Sequence, residues 1–340
     1  MNIRSDIPLA PYTTFMIGGP ADFFCVVSSE EELVAMIRRA QQGNLPVFIL
    51  GKGSNILVAD EGFRGIVIKN EIRGMEFGSE DNGVVCVTVG AGETWDDLVA
   101  ETVRRNLHGI ENLSAIPGTV GAAPVQNIGA YGVEIASTLV SVRVLDTKTL
   151  AYGEFSNTEC QFAYRDSRFK HEKGRYVITQ VTLRLVKGGK TDITYRDLTD
   201  LFKGRSEVPS IQEVREAVIH IRTHKLPDWK RIGTAGSFFK NPIISKDHFE
   251  KVAAQYPGLP GYPTKDAQLI KVPLGWILDN ICEAKGLRMG SVSTYEKQAL
   301  VIVAQPGSSA AAVVNFQNEL IRRVKERTGI DVEREVEWVG

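Results

Sequence analysis

The chain has 340 residues, of which 43% are hydrophobic and 24% are charged, and its 40 basic and 41 acidic residues give a formal net charge of -1. This composition is that of an ordinary globular protein, and the length favours two or three domains over a single core. The balanced charge gives no indication of a nucleic-acid or anionic-membrane partner.

The cysteine pattern and the N-terminal residues predict a cytoplasmic protein without a metal site. The four cysteines are Cys25, Cys86, Cys160 and Cys282. They form no Cys-x-x-Cys pair and no other spacing typical of metal ligands. Residues 1–15 lack the apolar core of a signal peptide. No uninterrupted apolar run approaches the roughly 20 residues that a membrane-spanning helix needs.

The N-terminal third predicts two helices and several short strands. Ser29 and Glu32 have the spacing of a capping box, which predicts a helix that ends at Gly43. Thr94 is expected to cap a second helix that runs toward Leu107. Strands are predicted at 47–50, 56–58 and 84–89.

The remainder of the chain mixes strands and helices. Strands are predicted at 140–145 and 177–185, and helices at 274–281 and 311–327. Residues 222–263 are rich in glycine, proline and aromatics and are predicted to be loops. The tail, 330–339, alternates like a strand with Glu333, Glu335 and Glu337 on one face. Strands and helices without strict alternation indicate an α+β fold.

A glycine-rich segment lies between the predicted strands 47–50 and 56–58. Its residues are Gly51, Lys52, Gly53, Ser54 and Asn55. Small residues after a strand allow backbone N–H groups to converge on an anion such as a pyrophosphate. The glycine spacing is not that of a Walker A loop, and a strand follows where a Rossmann fingerprint requires a helix. A tight turn between strands is the structural alternative.

A second segment, 114–132, is rich in glycine, proline and alanine. Backbone without bulky side chains can lie close to something flat or anionic. A functional loop is favoured here over a purely structural one.

Two further segments contain candidate reactive side chains. Arg165 offers a fork of donors for a carboxylate or a developing enolate, with a surface basic loop as the alternative. Ser237 could be a nucleophile, an acid or a turn hydroxyl. Phe239 stands where the nucleophile elbow of a serine hydrolase has its last glycine. The tail glutamates are ordinarily solvated, but one lowered into an apolar cleft would retain its proton.

Together these segments resemble the UDP-N-acetylenolpyruvoylglucosamine reductase (UDP-N-acetylmuramate dehydrogenase) family over almost the whole chain. The likeness is carried by residues 12–15, 18–21, 51–55, 116–118, 126–132, 164–167, 236–242 and 275–277 and by the Glu-x-Glu-Val of the tail. Their number and order make the resemblance specific.

The resemblance implies an α+β fold with an FAD-binding domain of the vanillyl-alcohol-oxidase (PCMH-like) type. Its two subdomains would be residues 1–68 and 69–224, followed by an α+β substrate-binding domain at 225–340. The implied activity uses non-covalent FAD and NADPH to reduce UDP-N-acetylglucosamine enolpyruvate to UDP-N-acetylmuramate in peptidoglycan precursor synthesis. A monomer is expected.

The resemblance also implies roles for individual residues. The implied catalytic residues are Arg165, Ser237 and Glu335. Those implied to bind FAD are Gly51, Lys52, Gly53, Ser54, Asn55, Ile116, Pro117, Gly118, Thr119, Gly121, Ala122 and Arg222. Those implied to bind the UDP-sugar are Tyr131, Tyr164, Tyr195, Lys225, Asn241 and Gln298. Tyr195 resembles the tyrosine of a loop present in one subtype of the family.

The tail departs from the family pattern at one position. Relatives often have Glu-Pro-Glu-Val, whereas this chain has Glu333-Arg334-Glu335-Val336. Without the proline, either glutamate could face the cleft, and matching backwards from Val336 favours Glu335. Two other functions stay open: a flavin oxidase of the same fold, and a nucleotide-binding protein without catalysis.

Overall fold

The computed structural model describes residues 2–340, which form two compact units. The first comprises residues 2–7, 21–52 and 64–224, and the second comprises residues 8–20, 53–63 and 225–340. Both units are assembled from discontinuous stretches of chain. The expected division into three domains at residues 68 and 224 stays a prediction.

The strands alternate with helices irregularly along the chain. In chain order the strands are β1 (Arg4–Pro8), β2 (Pro20–Val27), β3 (Val47–Leu50), β4 (Ile56–Val58), β5 (Phe63–Asn70), β6 (Met75–Phe77), β7 (Val84–Gly90), β8 (Leu107–His108), β9 (Gly129–Ala130), β10 (Val133–Glu134), β11 (Leu139–Asp146), β12 (Tyr152–Ser156), β13 (Tyr176–Lys187), β14 (Gly233–Ser237), β15 (Ile243–Ser245), β16 (Tyr262–Pro263), β17 (Leu269–Lys271), β18 (Arg288–Met289), β19 (Val292–Tyr295), β20 (Gln298–Ala304) and β21 (Glu337–Val339). The helices are α1 (Glu30–Gln42), α2 (Trp95–Arg104), α3 (Arg168–His171), α4 (Arg196–Leu201), α5 (Ile211–Lys225), α6 (Lys246–Gln255), α7 (Leu274–Trp276), which continues as a π-helical turn over Ile277–Ile281, and α8 (Ala310–Thr328).

Two sheets organise the first unit. One has the order β1-β2-β5-β3, and the other has the order β12-β11-β13-β7-β6 with β8 added beside β13. Along β13, Val181, Leu183 and Leu185 are fully buried while Arg184 is exposed. This alternation is the one that the sequence predicts, and it places the apolar face of the larger sheet against α2.

The second unit is built on a sheet with the order β14-β20-β19-β18. Helix α8 supplies to its core the apolar stripe predicted from the sequence, and Gly329 ends the helix with φ +70°. Strand β21, at the end of the chain, pairs in parallel with β4.

The first helix has the cap that the sequence predicts. The Ser29 side chain accepts a hydrogen bond from the Glu32 N–H, and α1 ends at Gln42 with Gly43 as its C-cap. The predicted strands at 47–50, 56–58, 84–89, 140–145 and 177–185 are also confirmed. The mixture of mostly antiparallel sheets with helices confirms the α+β class.

Three local predictions were wrong. Helix α2 ends at Arg104, and Leu107 pairs with β13 instead. Residues 222–263 contain the end of α5 and also β14, β15, α6 and β16, because tertiary pairing overrides their turn-rich composition. In the tail only Glu337–Val339 is a strand. The buried residues of the tail are Ile330, Val336 and Val339, spaced six and three apart, so the tail lacks the two-residue alternation of the prediction.

Among residues 2–340, no helix combines the length and the apolar character that crossing a bilayer requires.

Candidate active site

The two predicted cofactor segments meet in the first unit. A Cβ atom on Gly51 would lie 2.6 Å from the Thr119 hydroxyl oxygen, so glycine alone fits without a shift of the threonine. Thr119 forms an isolated antiparallel bridge with Thr94. Thr94 is the N-cap residue of α2, as predicted, but its hydroxyl makes no capping hydrogen bond and instead accepts one of 2.8 Å from Lys52 Nζ. Gly51, Lys52 and Thr119 therefore lie together.

The segment 116–122 is fastened to the residues that precede α2. Val120 N–H donates to the Glu93 carbonyl, and Gly121 N–H donates to the Ala91 carbonyl, each at 2.9 Å. A Cβ atom on Gly121 would lie 2.5 Å from Ala91 Cβ, so this approach also requires glycine. Within the segment, Ile116 and Pro117 are half-buried, Gly118 is buried and Ala122 is exposed.

Asp96, in the first turn of α2, holds the start of this segment. Its carboxylate accepts a 2.6 Å hydrogen bond from the Ala115 N–H, and Ala115 has a φ of +58°. Arg215 donates to both carboxylate oxygens, at 2.7 and 3.0 Å, and to the Ser114 hydroxyl at 2.9 Å. Burial alone would raise the pKa of Asp96, but the hydrogen bonds from Arg215 and Ala115 lower it.

The sequence analysis missed both Asp96 and Arg215. The only available signal was an acidic residue in the first turn of a helix, which is common at exposed helix N-termini. The two residues are 119 positions apart, and nothing in the local pattern of either one indicates the other.

Three further predicted residues meet beside helix α5. Arg222, on α5, is hydrogen-bonded to the Tyr131 side chain, and burial raises the pKa of Tyr131 to about 12. Burial also lowers the pKa of Arg222, although the interactions of its guanidinium with Tyr131 and Asp96 act to raise it. The Tyr131 ring contacts Tyr195 edge-on, with 5.4 Å between ring centroids.

The residues of the first unit fit a bound dinucleotide cofactor. Arg222 Nε is buried and has no hydrogen-bond partner within residues 2–340. A buried donor of this kind is rare in folded proteins and indicates a missing acceptor. At Gly51 and Gly121 a side chain would clash with a neighbouring residue, so the backbone at both positions carries none. A phosphate or another polar cofactor atom would supply the acceptor.

Arg165 is held in a strained turn of the first unit. Its φ is +53°, and Ala163 and Asp166 exchange two backbone hydrogen bonds of 3.1 Å around it. The guanidinium donates to the Gly129 carbonyl at 2.6 Å and lies over the half-buried Tyr164 ring. Asn127, which was not predicted as a site residue, donates from its side chain to the Ala163 carbonyl at 3.0 Å. The guanidinium group of Arg165 is therefore held in one orientation.

Ser237 ends strand β14 in the second unit. The pairing of β14 with β20 is irregular between Thr234 and Ser237, and Gly236 has a φ of +76°. Apart from Gly236 and its two chain neighbours, no residue among 2–340 has a heavy atom within 4 Å of a Cβ built on Gly236. The hydroxyl of Ser237 makes no hydrogen bond within the described chain, and the residue is half-buried.

The backbone of Glu335 is fixed from two sides in the same unit. Its N–H donates to the Phe238 carbonyl at 2.9 Å, next to Ser237 in the chain. Its carbonyl accepts a hydrogen bond of 3.1 Å from Asn55 Nδ2. Glu335 is half-buried, whereas the Glu333 side chain is 72% exposed and pairs with Lys240 at 2.6 Å. The exposed Glu333 side chain thus already has an ion-pair partner in Lys240.

The remaining predicted residues of the second unit are more scattered. Asn241 Oδ1 accepts a 3.0 Å hydrogen bond from the Leu274 N–H at the start of α7. Gln298 begins β20 and lies close to Gly275, where a Cβ atom would be 2.9 Å from Gln298 Oε1. Lys225 is exposed at the end of α5.

Gly53 and Ser54 precede Asn55 in the second unit. Gly53 has a φ of +62°, and a Cβ there would lie 2.3 Å from the Tyr12 carbonyl oxygen. Ser54 is half-buried. Among the implied catalytic residues, Ser237 and Glu335 belong to the second unit, and Arg165 belongs to the first unit.

A cavity of about 960 Å³ in the first unit contains none of the predicted site residues. It is lined by α1 and by residues 44–47, 147–148 and 170–175. Its basic groups are largely engaged: His171 pairs with Asp166 at 2.8 Å, and Arg175 pairs with Asp146 at 3.2 Å. The cavity is therefore a weak candidate for an anionic ligand.

Comparisons with known proteins agree on one family. Residues 21–149 match the model of an FAD binding domain. Residues 227–339 match the C-terminal domain of UDP-N-acetylenolpyruvoylglucosamine reductase. These matches confirm the expected order of an FAD-binding domain followed by a separate C-terminal domain.

Relatives that align with almost the whole chain are named as the same reductase. The UDP-N-acetylenolpyruvoylglucosamine reductase of Flavobacterium johnsoniae is 40% identical over 339 residues, which cover 99% of this chain and 99% of that protein. The enzyme of the same name from Porphyromonas gingivalis is 37% identical over 340 residues and covers 100% of both chains. A crystal structure of UDP-N-acetylenolpyruvylglucosamine reductase from Thermus caldophilus has a TM-score of 0.68, 29% identity and 100% coverage of both chains.

The contact between Gly51 and Thr119 predicts how FAD binding responds to an added methyl group. Gly51→Ala places a carbon 2.6 Å from the Thr119 hydroxyl, so the two segments must separate. The strain of overpacking is about 1–3 kcal/mol, which corresponds to an affinity for FAD that is roughly 5- to 150-fold weaker. Titration of the apoprotein with FAD, followed by flavin fluorescence, measures the dissociation constant.

Gly153→Ala is the matched control, because a Cβ there would meet only Val144, at 4.0 Å. It should leave the affinity for FAD unchanged. Equal affinities for the Gly51 variant and the control would contradict the assignment of this contact to the cofactor site.

Proposed function

Because the chain belongs to the UDP-N-acetylenolpyruvoylglucosamine reductase family, we propose that it reduces UDP-N-acetylglucosamine enolpyruvate to UDP-N-acetylmuramate with FAD and NADPH. This reaction is a step in peptidoglycan precursor synthesis. The observation that carries the proposal is 40% identity to a reductase of this name over 99% of both chains. The substrate and NADPH are both charged nucleotides, which is consistent with a cytoplasmic enzyme. That location and a monomeric state stay predictions.

FAD supplies the chemistry of hydride transfer to the terminal carbon of the enolpyruvyl double bond. The residues proposed to hold it are those around Gly51 and Thr119, the segment 116–122 and Arg222. The orphaned Nε of Arg222 supports this assignment, because a polar cofactor atom would satisfy it.

Arg165 is proposed to stabilise the negative charge that develops on the substrate carboxylate as an enolate forms. Its guanidinium is already oriented by the carbonyl of Gly129 and by the strained turn. A preoriented cation needs little reorganisation at the moment of reaction, and one such donor contributes about 3–4 kcal/mol to transition-state stabilisation.

Ser237 and Glu335 are proposed to complete the reduction. Ser237 would give a proton to the carbon that bears the ether oxygen, and a protonated Glu335 would donate a hydrogen bond to the enolate. The support for Ser237 is a hydroxyl that makes no hydrogen bond within residues 2–340, in a turn with open space at Gly236. The support for Glu335 over Glu333 is its partial burial and its fixed backbone.

The UDP-sugar is proposed to contact Tyr131, Tyr164, Tyr195, Lys225, Asn241 and Gln298. Tyr131 and Tyr195 already pack together, and Lys225 presents an exposed ammonium group suited to a diphosphate.

NADPH consumption tests the proposed reaction against its two rivals. Oxidation of NADPH should accelerate when UDP-N-acetylglucosamine enolpyruvate is added, and UDP-N-acetylglucosamine, which lacks the double bond, should have no effect. A flavin oxidase would consume oxygen whichever sugar is present. A nucleotide-binding protein without catalysis would leave NADPH intact, and either result would refute the proposal.

Ser237→Ala should separate the two half-reactions. Reduction by NADPH puts no proton on carbon, so its rate should stay near that of the wild type. Reoxidation by the enolpyruvyl substrate should slow by the ~10²–10⁴-fold that follows the loss of a general acid. Ser237→Cys should recover part of the rate, because a thiol can also give up a proton. Stopped-flow absorbance measures both rates.

Ser293→Ala, in strand β19 of the same sheet, is the control and should alter neither rate. If Ser237 only stabilises a turn, Ser237→Ala should lower both rates slightly and together. That outcome would remove Ser237 from the chemistry.

Glu335→Gln and Glu333→Gln should have different effects on turnover. Glutamine keeps a neutral hydrogen-bond donor at position 335, so this variant should retain more activity than Arg165→Ala, which removes a charge. Glu333→Gln only weakens an exposed pair with Lys240 and should leave turnover unchanged. Steady-state assays of the three variants decide the assignment. A large loss from Glu333→Gln alone would assign the role to Glu333 instead.

A further inference from the structure

Asn112 is a buried side chain that holds two separate segments of the first unit. It is 1% exposed, in the turn Glu111–Leu113 at the core of that unit. Its Nδ2 donates to the Tyr131 carbonyl and to the Asp192 carbonyl, each at 2.9 Å. Both hydrogens of the amide are therefore used on backbone far away in the sequence.

One of those carbonyls belongs to the segment 192–209, named here the tyrosine segment. Asp192 Oδ1 accepts hydrogen bonds from the backbone and the hydroxyl of Thr194, which turns the chain toward Tyr195. The Thr191 hydroxyl donates to the Pro209 carbonyl at 3.0 Å and closes the base of the segment. The bond from Asn112 fastens this base to the core of the unit.

The tyrosine segment has only a small apolar cluster of its own. Leu198 is fully buried there and packs with α5, and Ile193 and Phe202 lie at the edge of the cluster. Tyr195 is 45% exposed, and its ring meets Tyr131 edge-on. Few buried side chains therefore set the position of Tyr195, and the hydrogen bonds at the base carry more of that task.

We infer that Asn112 is a positioning residue that sets the spacing between Tyr131 and Tyr195 and thereby the affinity for the UDP-sugar. The inference rests on the proposed function, in which both tyrosines contact the substrate. Asn112 acts only through the two carbonyls. Because one amide holds both, a change at residue 112 moves both tyrosines relative to each other.

Asn112→Asp tests this role with little change in shape. A carboxyl oxygen then faces the two carbonyl oxygens. An ionised carboxylate repels both of them, and a protonated one can donate to only one, so at least one of the two hydrogen bonds is lost. We expect the KM for the UDP-sugar to rise about tenfold, equivalent to one or two lost hydrogen bonds. Reduction by NADPH and kcat should change less than about twofold, because the residues proposed for the chemistry stay in place.

Asn157→Asp is the matched control. Asn157 Nδ2 also donates to two backbone carbonyls, those of Ala136 and Leu139, each at 2.8 Å. Asn157 is half-buried, so its loss should destabilise the first unit less than the change at Asn112, and it should not raise the KM. An equal rise in KM for both variants, or a fall in kcat with KM unchanged in Asn112→Asp, would overturn the positioning role.

Limited trypsin digestion gives a readout that does not depend on the reaction. The tyrosine segment contains Arg196, Lys203 and Arg205, and cleavage there should be faster in Asn112→Asp than in Asn157→Asp. Equal cleavage would overturn the proposed tie. A wild-type protein that fails to reduce the UDP-sugar would refute the proposed function, and the digestion would still decide whether Asn112 holds the segment. If Asn112→Asp does not fold, Asn112→Ser, which keeps one donor, should give a smaller change of the same kind.

Discussion

The carboxylate of Asp96 accepts hydrogen bonds from the Ala115 N–H and from two nitrogens of Arg215, and the segment proposed to hold FAD depends on them. Ala115 has a left-handed backbone, which costs a residue other than glycine about 1–2 kcal/mol. Hydrogen bonds to a charged group contribute about 1.5–3 kcal/mol each and offset that cost. The Arg215 side chain is 12% exposed, so removal of the carboxylate would leave a nearly buried charge without its counterion.

The same carboxylate connects the loop to helix α5. Arg215 and Arg222 are seven residues apart on α5, two turns along the same face. Asp96 therefore fixes both the start of the segment 116–122 and the helix that presents Arg222 to Tyr131. In the second unit, hydrogen bonds to the backbone of Glu335 perform the comparable task. The Phe238 carbonyl and the Asn55 side chain fix this residue in the absence of a regular strand.

Elements with local signals could be predicted from the sequence. The cap at Ser29, the apolar stripe and final glycine of α8, and the alternation along β13 each follow from neighbouring residues. The tail could not be predicted from alternation, since its backbone follows the partners Phe238 and Asn55. The two glycine-rich segments are visible in the composition, but no pattern indicated that Gly51 meets Thr119. Asp96 with Arg215, and Asn112 with two distant carbonyls, are contacts of high sequence separation and leave no local trace.

The central claim is that this chain adds a hydride and a proton across the enolpyruvyl double bond of a UDP-sugar at the expense of NADPH. An anaerobic reaction with limiting NADPH, followed by mass spectrometry of the nucleotide sugar, measures this directly. One UDP-N-acetylmuramate should form for each NADPH oxidised, without oxygen. NADPH oxidation that requires oxygen and leaves the mass of the UDP-sugar unchanged would contradict it.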